Sequence, residues 1–172
     1  MKRKKSIQVA ASGVMAALVC VATMLVQVPI PATEGFFNIG DVMIMIAALT
    51  FGPLVGAIAG GIGSSLADLL GGWYIYVVPT LIIKGIEGLL AGWICEKNNL
   101  SLQRIILAWL VGGLEMVTGY FLFQVFILRY GVGAALVEAP FNIVQMIVGG
   151  IIGIPISLVL KRRIQLQSLQ NF

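Results

Sequence analysis

Residues 52–70 read GPLVGAIAGGIGSSLADLL, and this stretch does most to decide the fold. It is apolar over a length that suits a membrane-spanning helix, and the Gly-Pro pair that opens it favours a helix start. Gly56, Gly60 and Ser64 follow at four-residue intervals, which places them on one helical face. Small residues at this spacing let a neighbouring helix approach closely within a bilayer. The stretch therefore predicts a tightly packed transmembrane helix.

The composition of the whole chain extends this prediction to its full length. Of the 172 residues, 59% are hydrophobic and 10% are charged, and the mean hydropathy is +1.03. Apolar runs longer than about 18 residues recur along the chain, as they do in proteins that cross a membrane several times. Soluble classes are excluded, and residues 1–172 are predicted to form a single all-α transmembrane domain.

The charge and cysteine content exclude two further classes. The net charge is +4, but the basic residues cluster at the ends of apolar runs, where membrane topology explains them better than nucleic-acid binding does. Cys20 and Cys95 both fall within predicted helices, so they are interpreted as small packing residues. No disulfide, metal site or redox role is expected.

Six spans are predicted, at residues 7–28, 37–51, 53–70, 77–95, 105–128 and 137–160. The first follows a basic start, residues 1–5, but it is too long for a signal sequence and lacks an A-x-A cleavage pattern, so it is expected to remain in the mature protein. The second span is short, about 22 Å at 1.5 Å per residue. It crosses only if the bilayer thins locally or neighbouring helices shelter it.

Basic residues in the connections predict the orientation. Nearly all lie on one side of a six-span arrangement, namely Lys2, Arg3, Lys4, Lys5, Lys97, Arg104, Lys161, Arg162 and Arg163. Only Arg129 and the intramembrane Lys84 do not. By the positive-inside rule both termini are cytoplasmic, in a multi-pass protein of a bacterial cytoplasmic membrane. The connections at 29–36, 71–76 and 129–136 then face outward.

Polar residues inside the spans are the best indication of function, because each charge at that depth costs about 2.5–3.5 kcal/mol. Five ionisable residues stand out among them: Asp41, Asp68, Lys84, Glu87 and Glu115. Most polar groups fall in the outer half of the bundle, Glu138 among them. The candidate substrate-binding residues are Asn38, Asp41, Asp68, Trp73, Tyr74, Tyr76, Lys84, Tyr120, Gln124, Asn142 and Gln145. Amides, hydroxyls, aromatic rings and both charge signs suit a small polar solute that is zwitterionic or contains a ring.

Structural roles compete with binding at each of these positions. Lys84 and Glu87 could form a self-neutralising pair three residues apart, and Asp41 and Asp68 could be helix-end residues wetted near the headgroups. The three aromatic residues at 73–76 could be interfacial anchors, and the buried amides could be interhelical hydrogen bonds. Glu115 has no partner in its own helix, so it needs one across the bundle.

Catalysis and self-sufficient pumping both lack their sequence signatures. The chain has no G-x-x-x-x-G-K-[ST] motif or other ATP-binding signature, so energy for uptake must come from another subunit. Ser64 and Ser65 follow glycines, but the chain has no histidine to activate them, so no enzyme activity is expected. A stand-alone secondary carrier stays open, although the inverted repeats common in carriers are not visible.

Several features together point to a known family. They are the basic start and small-residue stripe of the first span, NIGD at 38–41, FGPLVGA at 51–57, GGIGSSLADLLGG at 60–72 and IIKG at 82–85. In these the chain resembles the substrate-binding S components of energy-coupling factor (ECF) vitamin transporters, along nearly its whole length.

The resemblance implies six helices, an outward pocket capped by the first outer loop, and no cofactor in the chain itself. It implies a membrane coupling subunit and two ABC-type ATPases as partners, which use the ATP. It also implies that a small-residue surface docks on the coupling subunit, here Ser12, Gly13, Ala16 and Ala17, and that the protein tips over in the bilayer during transport. The resemblance is strongest to members for hydroxymethylpyrimidine or pyridoxine, with pantothenate and riboflavin members close behind.

Overall fold

In the computed structural model, which describes residues 2–95 and 101–170, six α-helices follow one another along the chain. Side chains are described for residues 6–95 and 101–164, so the interpretation of Lys97 and of the basic side chains at 2–5 falls outside the described residues. The helices are α1 (Lys2–Leu25), α2 (Gly40–Phe51), α3 (Pro53–Gly71), α4 (Val77–Cys95), α5 (Leu102–Leu122) and α6 (Val132–Gln170).

Five helical stretches are long and apolar enough to cross a membrane, in the part of the chain that the structure describes. They are Ser6–Leu25, Pro53–Gly71, Tyr74–Cys95, Leu102–Ile127 and Val132–Ile164. The mostly helical fold is thus confirmed. With 12 residues, α2 is shorter than these five, so crossing by six helices stays a prediction, as does the orientation of the termini.

The structure differs most from the sequence prediction between the first two helices. Val28–Ile30 (β1) pairs with Gly35–Phe37 (β2) in an antiparallel hairpin. Because these strands satisfy each other's backbone groups, the chain leaves the helical conformation early and resumes it late. As a result α1 ends at Leu25 rather than at residue 28, and α2 begins at Gly40 rather than at residue 37.

The fifth helix begins at Leu102, before its predicted start at residue 105, and the sixth extends beyond both of its predicted ends. A π-helical turn, Phe123–Ile127, continues α5, and a 3₁₀ turn, Tyr74–Tyr76, leads into α4. The sixth helix begins at Val132 and runs to Gln170, although 137–160 was predicted. Both Pro140 and Pro155 lie inside it.

The short helix α2 lies at the centre of the bundle, where it packs against α1, α3, α4 and α6. Nine of its 12 residues are buried, and Ile44 and Ala47 are completely inaccessible. Its length is about 18 Å. The neighbouring helices therefore shelter α2 from lipid. Such shelter is one of the two ways in which so short a helix could cross the bilayer, the other being local thinning of the bilayer.

Close backbone contact joins α3 to both of its neighbours. A Cβ atom at Gly56 would lie 2.5 Å from the Gly88 carbonyl oxygen of α4, and one at Gly63 would lie 2.5 Å from the Ala16 carbonyl oxygen of α1. No real Cβ atom fits at such distances, so glycine is required where these helices touch. The small residues of 52–70 therefore serve packing within the bundle.

The small-residue stripe of α1 divides between two faces. Ser12 and Ala16 are buried, and Ala16 lies against Gly63 of α3. In contrast, Gly13 and Ala17 are exposed, and a Cβ at Gly13 would meet nothing within 4 Å. Docking on a coupling subunit stays a prediction, and the surface open to it carries Gly13 and Ala17.

Candidate functional site

The connections at one end of the bundle contact one another, and this end is here called the hairpin end. The rings of Phe36 in β2 and Trp73 before α4 pack with centroids 4.8 Å apart, and Trp73 Nε1 donates to Gln27 Oε1 at 3.5 Å. The Tyr130 hydroxyl donates to Glu34 Oε2 at 3.4 Å. Desolvation and the Glu34 carboxylate raise the pKa of Tyr130, so its phenol stays a donor at neutral pH. The three connections thus form a common cover.

A small cavity lies beneath this cover. Every helix except α2 contributes to its wall, which is mainly polar and is formed by Thr23, Gly35, Phe36, Asn38, Ser64, Asp68, Tyr76, Thr80, Lys84, Tyr120, Glu138, Asn142 and Gln145. The volume that the centre of a water molecule can occupy is about 30 Å³. This is enough for one or two waters but not for a heteroaromatic ring. A ligand of that size requires the hairpin or the wall side chains to move.

A buried ion-pair cluster lies at one side of the cavity, where Lys84 and Gln145 reach the wall. Lys84 is 2% exposed, and its Nζ donates to Asp41 Oδ1 and, at 3.0 Å, to Glu87 Oε2. Gln145 Nε2 also donates to Asp41 Oδ1, at 3.2 Å. The cluster therefore ties α2, α4 and α6 together. The Lys84–Glu87 pair follows from sequence spacing, whereas the contact with Asp41 joins residues 43 positions apart.

A second set of hydrogen bonds holds the hairpin to the bundle. Thr33 Oγ1, in the hairpin turn, donates to Glu138 Oε2 of α6, and Tyr76 OH donates to the Thr33 carbonyl oxygen at 2.6 Å. We call Thr33, Tyr76 and Glu138 the hairpin latch. Asn142 Nδ2 supports it by donating to Glu138 Oε1 at 3.2 Å, and Gln124 Nε2 donates to Tyr76 OH at 3.3 Å.

Two buried oxygen atoms in the cavity wall have no hydrogen-bond partner among the described residues. They are Asp68 Oδ2 and Thr23 Oγ1, and the two residues are 3% and 1% exposed. Buried polar atoms are nearly always satisfied, and leaving one unpaired costs about 1–3 kcal/mol. The Asp68 carboxylate oxygen accepts a hydrogen bond, whereas the Thr23 hydroxyl can accept or donate one, so a ligand with donor groups can satisfy both atoms.

The structure brings most of the predicted binding residues to this cavity. Those in its wall are Asn38, Asp68, Tyr76, Lys84, Tyr120, Asn142 and Gln145. Asp41 and Gln124 are buried behind the wall and bond to residues in it. Trp73 packs on the hairpin, and Tyr74 is 70% exposed and lies outside the wall. Direct contact with a ligand stays a prediction for all of them.

The wall also contains residues that the sequence reasoning did not propose for binding, notably Thr23 and Thr80. A signal for Thr23 was present, because it continues a buried helical face that includes Ala16 and Val19 at intervals of three and four residues. Glu138 was recognised as polar in the outer part of the sixth span, but nothing in the sequence indicated its contact with the hairpin.

Glu115 lies apart from the cavity. It borders a groove on the outer surface of the bundle with Leu114, Thr118, Gly119 and Leu122. Its Oε2 atom has no hydrogen-bond partner among the described residues. The described residues form no salt bridge with Glu115, but Lys84 of α4 attracts its carboxylate electrostatically from across the helix interface.

Comparison with known proteins gives consistent matches over most of the chain. A family model described as "ECF-type riboflavin transporter, S component" matches residues 3–162. The "uncharacterized protein in gap 3′ region" of Pyrococcus woesei is 47% identical over 148 residues, which is 85% of this chain and 96% of the relative. The thiamine precursor transporter HmpT of Lactococcus lactis subsp. cremoris (strain MG1363) is 36% identical over 151 residues, 87% of this chain and 85% of that protein.

Proposed function

Because the chain belongs to the family of ECF-type riboflavin transporter S components, we propose that it is the substrate-binding subunit of an ECF-type importer for a small vitamin or vitamin precursor. The family is one of membrane transporters and not of enzymes. The observation that carries the proposal is the cavity beneath the hairpin, which is lined mainly by buried polar side chains inside a bundle of apolar helices. Our first candidate for its substrate is hydroxymethylpyrimidine, with pyridoxine second.

The matching family and the Lactococcus relative are named for different substrates. The matching family model is named for riboflavin, and the Lactococcus relative is named as a thiamine precursor transporter. The small volume of the cavity favours a single ring over the three fused rings of riboflavin, because less of the wall has to move. Pantothenate has no ring, and its carboxylate would need a free cation, whereas Lys84 is already paired with two carboxylates.

The proposed importer includes partners that supply energy. ECF S components bind small vitamins and work with the partners of the ECF module. We propose that a membrane coupling subunit docks on the exposed face of α1 that carries Gly13 and Ala17, and that two ABC-type ATPases use the ATP. The chain then holds no cofactor of its own. In this arrangement both termini are cytoplasmic and the hairpin end faces outward.

A ligand panel tests the binding role. We expect titration of the purified protein to give one high-affinity ligand among hydroxymethylpyrimidine, pyridoxine, riboflavin and pantothenate, and mass spectrometry of copurified small molecules to identify the same compound. Failure of all four to bind correctly folded protein would contradict the proposal.

Reconstitution tests the dependence on partners and the alternative of a secondary carrier. Liposomes that contain only this protein should not accumulate the ligand, whereas liposomes that also contain the coupling subunit and both ATPases should do so when supplied with ATP. Accumulation by this protein alone would instead identify a secondary carrier.

A further inference from the structure

The buried part of the site contains an excess of carboxylates. Asp41, Asp68, Glu87 and Glu138 are all at most 3% exposed. Among the side chains that the structure describes, Lys84 is the only buried lysine or arginine. Carboxylates that are removed from water need cations or hydrogen-bond donors around them. The site therefore has more capacity to accept hydrogen bonds than its own residues satisfy.

The ammonium group of Lys84 is already paired with two carboxylates of the protein. Its Nζ bonds to Asp41 on α2 and to Glu87 on its own helix. An anion placed in the cavity would have to compete with these two carboxylates for Lys84. It would also lie close to Asp68 and Glu138, whose oxygen atoms offer an anion no positive charge with which to pair. This geometry disfavours ligands that carry a carboxylate or a phosphate.

The two carboxylates that line the cavity differ in whether they have an oxygen atom without a hydrogen-bond partner. Both oxygens of Glu138 are engaged, one by Thr33 and the other by Asn142. Asp68 interacts with the Thr80 hydroxyl, but its Oδ2 atom has no partner among the described residues. Asp68 is thus the carboxylate with an oxygen available to a ligand, and the equally unpartnered Thr23 Oγ1 lies in the same wall.

We infer that Asp68 contacts the ligand directly, that it pairs with the N–H donors of an amino-substituted heteroaromatic ring, and that the site rejects anionic forms of the same ring. A carboxylate can accept from an exocyclic amine and from the adjacent protonated ring nitrogen through two parallel hydrogen bonds, an arrangement that is both strong and selective. This inference rests on the proposed function, because it assigns the ligand class of the same cavity.

Three related pyrimidines test it by calorimetric titration of the purified protein. They are 4-amino-5-hydroxymethyl-2-methylpyrimidine, its analogue with a 4-oxo group in place of the amine, and its phosphate ester. We expect the amino compound to bind at least about tenfold more tightly than the oxo analogue, since the analogue turns an acceptor toward Asp68. The phosphate ester should bind more weakly still.

Matched variants assign the effect to one residue. D68N keeps the side-chain shape, and it should weaken binding of the amino compound by about tenfold or more and remove most of its advantage over the oxo analogue. E115Q removes the same charge from an intramembrane glutamate outside the cavity, and it should leave both affinities within about twofold. If D68N does not fold, a preference of the unmodified protein for the oxo analogue or for the phosphate ester still overturns the inference.

The possible outcomes distinguish a failure of the inference about Asp68 from a failure of the proposed function. Tight binding of pantothenate or of the phosphate ester, with weak binding of the amino compound, would overturn the inference and leave the role as a vitamin-binding subunit intact. The inference is equally overturned if D68N binds the amino compound as well as the unmodified protein does. Binding of no compound in either panel would contradict the proposed function and, with it, the inference.

Discussion

Replacement of Thr33 by valine tests whether the hairpin latch holds the cover closed. Valine has nearly the same shape as threonine but lacks the hydroxyl that donates to Glu138, and Thr33 is completely buried. The hydrogen bond from Tyr76 to the backbone carbonyl of residue 33 can persist, since the backbone is unchanged. The variant therefore removes one bond to a buried carboxylate and a longer contact, at 3.5 Å, between the same hydroxyl and the Ile30 carbonyl oxygen.

The size of the effect follows from the charge of the acceptor. Hydrogen bonds to charged groups contribute about 1.5–3 kcal/mol, which corresponds to about a tenfold to hundredfold change in the equilibrium between closed and open hairpin. Hydrogen–deuterium exchange with mass spectrometry measures this directly. We expect peptides that cover residues 28–37 to lose protection by that factor, while peptides from α3 exchange as before.

A variant within the same hairpin provides the control. Glu34→Gln removes a charge whose bond to Tyr130 lies at the surface, where ion and hydrogen-bond contacts contribute little, so exchange should change by less than about threefold. Unchanged protection of the hairpin in the valine variant would refute the latch. An equal loss of protection in α3 would show that the whole bundle loosens and would refute a local role.

Three further predictions concern packing and assembly. Lys84→Met leaves two buried carboxylates without their cation and should lower the free energy of unfolding by about 3–5 kcal/mol, measured by chemical or thermal unfolding; a loss below about 1 kcal/mol would contradict the buried pair. Gly56→Ala should lower the melting temperature because α3 and α4 must separate, whereas Gly13→Ala, which meets nothing within 4 Å, should not; equal effects would contradict the close contact. Ala17→Trp should block ATP-dependent uptake and preserve ligand binding. Ala16→Trp should abolish both, because its indole ring is forced against α3. Normal uptake by the Ala17 variant would show that the coupling subunit docks on another surface.

Five of the six helices described could be predicted from the sequence because their apolar runs are long enough to cross a bilayer, where a single spanning segment must satisfy its own backbone hydrogen bonds as a helix. The Lys84–Glu87 contact was also predictable, since residues three apart on a helix are neighbours. The hairpin was not. Its strands have three residues each, and Val28 continues an apolar run, so only the pairing with β2 removes it from the helix.

The cavity itself depends on contacts that local sequence does not contain. Thr33 and Glu138 are 105 residues apart, and no periodicity links a loop threonine to a glutamate in the last helix. Local sequence also does not predict which of the two tyrosines before α4 reaches the cavity wall. Tyr74 and Tyr76 were indistinguishable as loop aromatics, but the 3₁₀ turn directs the second into the wall and leaves the first exposed.

The burial of α2 has a consequence for how a solute could leave the cavity. Residues 44–49 of this helix are all at most 5% exposed, and they fill the bundle between the cavity at one end and the groove beside Lys161 at the other. A solute cannot diffuse through the protein unless these residues of α2 separate from the helices packed around them. If the protein delivers its ligand by changing its own position in the bilayer, the speed of delivery will be governed by lipid viscosity and by the work of dragging polar loops past the headgroups. Acyl-chain composition should therefore alter the uptake rate while the affinity for the ligand stays constant.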